Sequence, residues 1–153
     1  MHGLFQHASD FRDDISQWDV SNVTSMHCLF YGASSFNCDI SNWETGKVTN
    51  MFGLFRNASS FDCDISNWET GKVTNMIWLF FYASSFRCDV SEWDVSAVEN
   101  WGGAFFGCPV DFEAIWKEHK DDPDWKEQCR QNRELRREEI REQRRRDENW
   151  ERR

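Results

Sequence analysis

The chain has 153 residues, a net charge of −9 at pH 7, nine Trp and thirteen Phe, a size typical of one domain. It contains no run of 18 or more apolar residues, which excludes a transmembrane helix, and its first residues lack the regions of a signal peptide. Residues 1–110 carry 13 acidic and 5 basic groups, which argues against nucleic acid as a partner because an acidic surface repels phosphates.

A 25-residue repeat occupies residues 1–110, and its period predicts a solenoid of stacked units that bury their apolar faces against one another. Met1 and Gly3 correspond to Met51 and Gly53, so the chain opens in the middle of a repeat. We expect it to be either a fragment of a longer protein or the product of a start codon inside an array. Four full copies and a degenerate fifth begin at Leu4, Leu29, Leu54, Leu79 and Ala104.

The first predicted element of each repeat is a helix of about three turns. Gly46 can act as its N-cap, while Asn57 and its counterpart Gly32 tolerate the left-handed conformation that ends a helix. The apolar residues that predict this helix fall at i, i+3, i+7 and i+10, at Val48, Met51, Phe55 and Ala58.

The second predicted element is a short strand at the Asp-Ile-Ser segment, residues 64–66 in one copy. The predicted fold class is therefore α/β, a solenoid with one short strand and one short helix per turn. An all-β solenoid with three short strands per turn remains the alternative. Three columns of similar apolar residues are expected inside, at Phe36, Phe61 and Phe86; Ile40, Ile65 and Val90; and Trp18, Trp43, Trp68 and Trp93.

The recurring signature LFxxASSFNxDISNWxxxxVTNM resembles the roughly 25-residue repeat of BspA-like bacterial surface proteins and lipoproteins, over about residues 1–105. The resemblance implies a leucine-rich-repeat-like α/β solenoid that serves as an extracellular or surface-displayed recognition or adhesion module, and it brings no catalytic residues. The localisation itself is left open, because no anchoring signal accompanies the repeats.

Two further columns carry side chains with possible chemistry. Cys38, Cys63 and Cys88 predict a ladder of half-buried thiols rather than disulfides, because stacked neighbours point in the same direction. The column of carboxylates is expected to accept hydrogen bonds from backbone amides, with calcium binding as the lesser alternative. This second column comprises Asp14, Asp39, Asp64 and Asp89.

No zinc-ligand spacing, nucleophile, base or phosphate-binding loop is recognisable, so we expect no enzyme, metal or cofactor site. The leading hypothesis is a non-catalytic module that binds a protein or a glycan, without membrane insertion and with an unknown oligomeric state. The predicted binding surface comprises exposed polar positions on the strand side, Ser41, Asn42, Ser66, Asn67, Ser91 and Glu92.

Two segments follow the repeats, which end at about residue 110. Residues 111–121 predict a helix that covers the last repeat, as repeat arrays require. Residues 122–153 predict a charged helical tail, with 10 Arg and 7 acidic residues from position 130 onward. A solvated helix is favoured, and an Arg-rich arm for an acidic surface is the alternative. If this helix makes the contacts, the chain is instead a structural scaffold or assembly component.

Overall fold

The computed structural model describes residues 1–151, apart from the side chains at positions 133, 136, 140, 143, 144 and 147–151. The last two residues of the predicted tail lie outside this part. Two helices are present there, α1 (Glu113–His119) and α2 (Pro123–Glu151). The repeats consist of turns and extended segments, joined by isolated parallel bridges at Ser25–Asn50, Asn50–Asn75 and Asn75–Asn100.

The predicted α/β solenoid is wrong, because no strand and no repeat helix occurs among residues 1–151. Each turn segment, such as residues 26–33, contains two residues in the left-handed region. Cys28 and Gly32 have φ of 51° and 72°, and Gly53 and Asn57 have 57° and 58°. A helix needs φ near −63° throughout, so these residues interrupt it twice. The predicted left-handed conformation of Gly32 and Asn57 is confirmed.

Backbone amides of the turn segments alternate between two kinds of partner. Met26 N–H donates to the Asn50 carbonyl of the next repeat (2.9 Å), and Gly32 N–H donates to that of Arg56 (2.7 Å). Between them, Leu29 N–H donates to the Met26 carbonyl within the same turn (3.1 Å). This pattern satisfies the backbone polar groups without a helix or a sheet.

The Asp-Ile-Ser segments fail to form strands because side chains take the amides that a ladder would use. Ile40 N–H donates to the Sγ of Cys63 (3.4 Å), and Ser41 N–H donates to the Oδ1 of Asp39 (3.0 Å). A strand would have paired these amides with carbonyls of a neighbouring repeat. The segments therefore stack without a β-ladder.

Aromatic columns form the core between successive repeats. Ring centroids lie 5.8 Å apart for Phe36 and Phe61 and 6.3 Å apart for Trp43 and Trp68, in nearly parallel planes. The predicted burial is confirmed for Trp43, Trp68 and Trp93. It is wrong for Trp18, which lies at the end of the stack and is exposed.

Helix α1 continues the tryptophan column beyond the last full repeat. Trp116 is buried, and its ring centroid lies 6.1 Å from that of Trp93. Its Nε1 donates to the Val90 carbonyl (3.1 Å), as Trp93 Nε1 donates to the Ile65 carbonyl (3.2 Å). A helix thus supplies the indole that the degenerate fifth repeat lacks.

Helix α2 follows α1 and contacts the surface of the repeats through polar and charged side chains. Within residues 1–151, no helix has both the length and the apolar composition required to cross a bilayer.

Candidate functional site

Four of the six residues of the predicted polar binding surface lie beside α2, whereas Ser66 lines a different cavity and the Ser91 amide donates to Asp89. A cavity of about 550 Å³ lies between the repeats and α2, and its lining includes Ser41, Asn42 and Asn67. Asn67 is only 5% exposed, and Glu92 accepts a hydrogen bond from the Nδ2 of Asn132 in α2 (2.7 Å). Part of this surface is therefore in contact with the chain's own C-terminal helix.

The predicted hydrogen bonds between the aspartate column and backbone amides are confirmed. Asp14 Oδ1 accepts from Ser16 N–H (2.9 Å), and Asp64 Oδ1 accepts from Ser66 N–H (3.0 Å). Hydrogen bonds from the Ser16 hydroxyl and amide, and from the Cys38 thiol, lower the pKa of Asp14. Among the described residues, no group of three or more His, Cys, Asp or Glu side chains is placed to hold a metal ion.

The cysteine column forms a ladder of half-buried thiols, as predicted, and its members are not joined in disulfides. Cys63 Sγ contacts the Oδ1 of Asp39 in the preceding repeat (3.7 Å), and Cys88 Sγ contacts the Oδ1 of Asp64 (3.5 Å). Burial, reinforced by the nearby carboxylates, raises the pKa of both thiols to about 12. Neutral thiols are poor nucleophiles, so burial lowers the reactivity expected of Cys63 and Cys88.

Sequence analysis missed a second surface, which we call the aromatic face. It lies on the turn segments, where large rings remain in contact with solvent. Trp78 is 36% exposed, Tyr82 50% and Phe106 57%. The aromatic face comprises Tyr31, Phe52, Arg56, Trp78, Phe81, Tyr82 and Phe106.

Arg56 lies at the centre of the aromatic face, among three rings. Its guanidinium carbon is 4.9 Å from the ring centroid of Tyr31, 4.5 Å from that of Trp78 and 5.2 Å from that of Phe81. Its Nε is buried, with no hydrogen-bond partner within the described part of the chain. The rings hold the cation by cation–π attraction while one donor remains unsatisfied.

The rings of the aromatic face are ordered by contacts with one another. Phe81 and Phe106 stack at 5.1 Å, and Tyr82 meets Phe106 edge to face at 5.4 Å. Trp78 packs over Gly103 of the next repeat, where an added Cβ would lie 3.1 Å from the indole Cδ1. The rings therefore form a surface that needs little ordering when a partner binds.

One signal in the sequence could have located this face. Residues 29–53 and 54–78 are identical except at five positions, and four of these differences lie in the turn segments. The differing pairs are Tyr31 and Arg56, Gly32 and Asn57, Asn37 and Asp62, Phe52 and Ile77, and Gly53 and Trp78. The residues outside the turn segments are thus almost constant between these two repeats, whereas the residues of the turn segments differ.

Residues 1–115 match the model of a protein family described as "Mycoplasma protein of unknown function, DUF285". The chain belongs to this family. The DUF285 match covers the repeats and the beginning of α1, whereas α2 lies beyond it. Searches of curated proteins and of solved structures find no match.

Proposed function

We propose that this DUF285 protein is a non-catalytic recognition module that binds a protein partner through the aromatic face. The observation that carries the proposal is the exposed ring cluster around Arg56, at positions that differ between otherwise near-identical repeats. Trp, Tyr and Arg are the residue types that most often dominate binding energy at protein interfaces. The guanidinium of Arg56, half-buried among these rings, can pair with a carboxylate of the partner.

A protein ligand is favoured over a glycan by the geometry of Trp78. Sugar rings bind aromatic side chains by stacking on a flat, open ring face. Arg56 already covers one face of this indole, at 4.5 Å from the ring centroid. A mixed surface of apolar edges and one cation instead suits a protein segment that carries apolar side chains and a carboxylate.

Two observations support the remaining parts of the proposal. The thiols of Cys63 and Cys88 are held protonated by their raised pKa, which supports a non-catalytic role. The likeness of the repeat signature to BspA-like repeats supports display at a cell surface. A scaffold function through α2 has less support, because Lys126 and Arg137 of this helix contact Asp94 and Glu69 of the same chain.

The test is selection of ligands from a displayed peptide library and from a glycan array, with the intact chain as bait. We expect the selected peptides to lose at least tenfold in affinity with Trp78→Ser. The matched control is Trp18→Ser, since Trp18 is also exposed but lies outside the aromatic face. Peptide binding that is indifferent to Trp78 would contradict the proposed face, and Trp78-dependent binding to glycans alone would contradict a protein ligand.

A further inference from the structure

A second column of carboxylates follows the repeats on the side that faces α2. We call it the acidic column: Asp19, Glu44, Glu69 and Asp94, one from each full repeat. Like charges at the spacing of stacked repeats repel one another, so such a column favours cations nearby.

Helix α2 places cations on this column. Lys126 Nζ lies 3.7 Å from the Oδ2 of Asp94 and 2.8 Å from the Oγ of Ser96. Arg137 pairs with Glu69, and its Nη2 donates to the Asn67 carbonyl (3.1 Å). Lys126 and Arg137 are eleven residues apart, which places them on one face of the helix, about 16 Å apart along its axis.

The contact between α2 and the repeats depends mainly on charge. Leu135 of α2 is exposed, whereas the helix buries Cys129. In each ion pair one partner is about half exposed, Lys126 and Glu69, whereas Asp94 is 11% and Arg137 30% exposed. Ion pairs that remain open to solvent on one side weaken as salt rises.

The space between α2 and the repeats is not completely filled by side chains. Asn67 is 5% exposed, and its Oδ1 has no hydrogen-bond partner among the residues that the structure describes. Asn67 lines the cavity of about 550 Å³ beneath the helix, together with Glu44 and Arg141. A buried acceptor and a carboxylate beside an open volume leave room for further donors.

We propose that the acidic column is a docking strip for Arg-rich helices, and that α2 is its intramolecular occupant. A helix of a partner protein with Lys or Arg on one face competes with α2 for Glu69 and Asp94. Because α2 is tethered, its effective concentration is in the millimolar range, so a weak contact keeps the strip covered. This inference goes beyond the proposed function and uses a different surface.

The probe is a fluorescent peptide of residues 123–151, and the control peptide is a shuffled sequence of the same composition. Binding to the full chain is measured by fluorescence anisotropy at low and high salt. We expect Arg137→Glu, which releases α2, to bind the probe at least tenfold more tightly than the wild type does. The control Arg146→Glu should behave as wild type, because position 146 is nine residues from Arg137, on the opposite side of the helix.

A charge swap completes the test. Hydrogen exchange of α2 amides should accelerate in Arg137→Glu and slow again when Glu69→Arg is added, and this double variant should no longer bind the probe. The proposal is overturned if the shuffled peptide binds equally well, if Arg137→Glu leaves exchange and probe binding unchanged, or if the double variant binds the probe as tightly as Arg137→Glu does.

Discussion

Trp68 combines burial, stacking and a hydrogen bond in a single side chain. Its ring lies between those of Trp43 and Trp93, each at 6.3 Å, and its Nε1 donates to the Ile40 carbonyl (3.1 Å). We expect Trp68→Ala to lower the free energy of unfolding by about 3–5 kcal/mol, the usual range for a buried aromatic. Urea denaturation measures the loss, and Trp18→Ala is the control at an exposed position.

Trp68→Phe separates the contribution of the hydrogen bond from that of burial and stacking. It keeps a ring in the column but removes one of the two hydrogen bonds to the Ile40 carbonyl, which still accepts from the Trp43 N–H (3.2 Å). The loss should cost about 0.5–1.5 kcal/mol, the usual net contribution of one hydrogen bond. A melting temperature of Trp68→Ala equal to that of the wild type would contradict the internal position of the column.

Cys63 gives a prediction about reactivity and pH. With a thiol pKa of about 12, roughly one native thiol in ten thousand is ionised at pH 8. Iodoacetamide should therefore modify Cys63 far more slowly in the native than in the urea-unfolded chain, as read by mass spectrometry. Equal modification rates in the native and the unfolded chain would contradict the buried environment of Cys63.

The same shift predicts how stability changes in alkali. Between about pH 9 and 12 the unfolded thiol loses its proton while the native thiol keeps it. The free energy of unfolding should therefore fall as pH rises through this window. Cys63→Ser should reduce the slope of that fall. An unchanged slope would mean that other titrating groups cause the fall in stability.

At the scale of the element, the turn segments show which features the sequence could predict. The spacing of Val48, Met51 and Phe55 correctly marked buried positions, because all three lie in the core. The same spacing suggested a helix, whereas the backbone turns left-handed at Cys28 and Trp78. Neither residue type favours that conformation, and the only local indication is that the equivalent positions in three other copies are Gly3, Gly53 and Gly103.

The candidate site was missed for a related reason. Identical columns predict the core and the thiol and aspartate ladders, where the same side chain recurs in each repeat. The aromatic face depends on residues that differ, such as Arg56 and Trp78, and on the glycines that make room for their neighbours. Its location depends on turn geometry, which a helix prediction obscures.

Gly32 provides a test of the turn geometry. Its φ is 72°, and an added Cβ would lie 2.8 Å from the Nδ1 of His7. We expect Gly32→Ala to destabilise the chain by about 1–2 kcal/mol through left-handed strain alone. Gly102→Ala is the control, since Gly102 has no positive φ and its added Cβ would meet only the Asn100 Oδ1 at 3.2 Å. If Gly32→Ala instead stabilised the chain, a helical conformation of this turn segment would be favoured over the left-handed one.

At the scale of the whole molecule, the repeat period predicts which deletions are tolerated. Removing residues 45–69 joins Glu44 to Thr70 and reproduces the local sequence around Thr45. The shortened chain should fold cooperatively but melt at a lower temperature, because each repeat contributes one interface to the stack.

The matched control removes residues 45–68, which is one residue fewer. That deletion shifts every later column relative to the first two repeats, so it should abolish the near-ultraviolet circular dichroism of the tryptophan column. Similar spectra for the two deletions would mean that the columns do not determine the fold.

The position of Trp116 has a consequence for the gene. Residues 38–51 and 63–76 are identical, so the codons that encode these two stretches can also match closely. Unequal crossing-over between them adds or removes whole repeats in frame. Such an exchange leaves Trp93 and Trp116 in place, so each product retains the stacked pair that covers the end of the column. The length of the array, and with it the extent of the aromatic face, can therefore vary between lineages without any new terminal element.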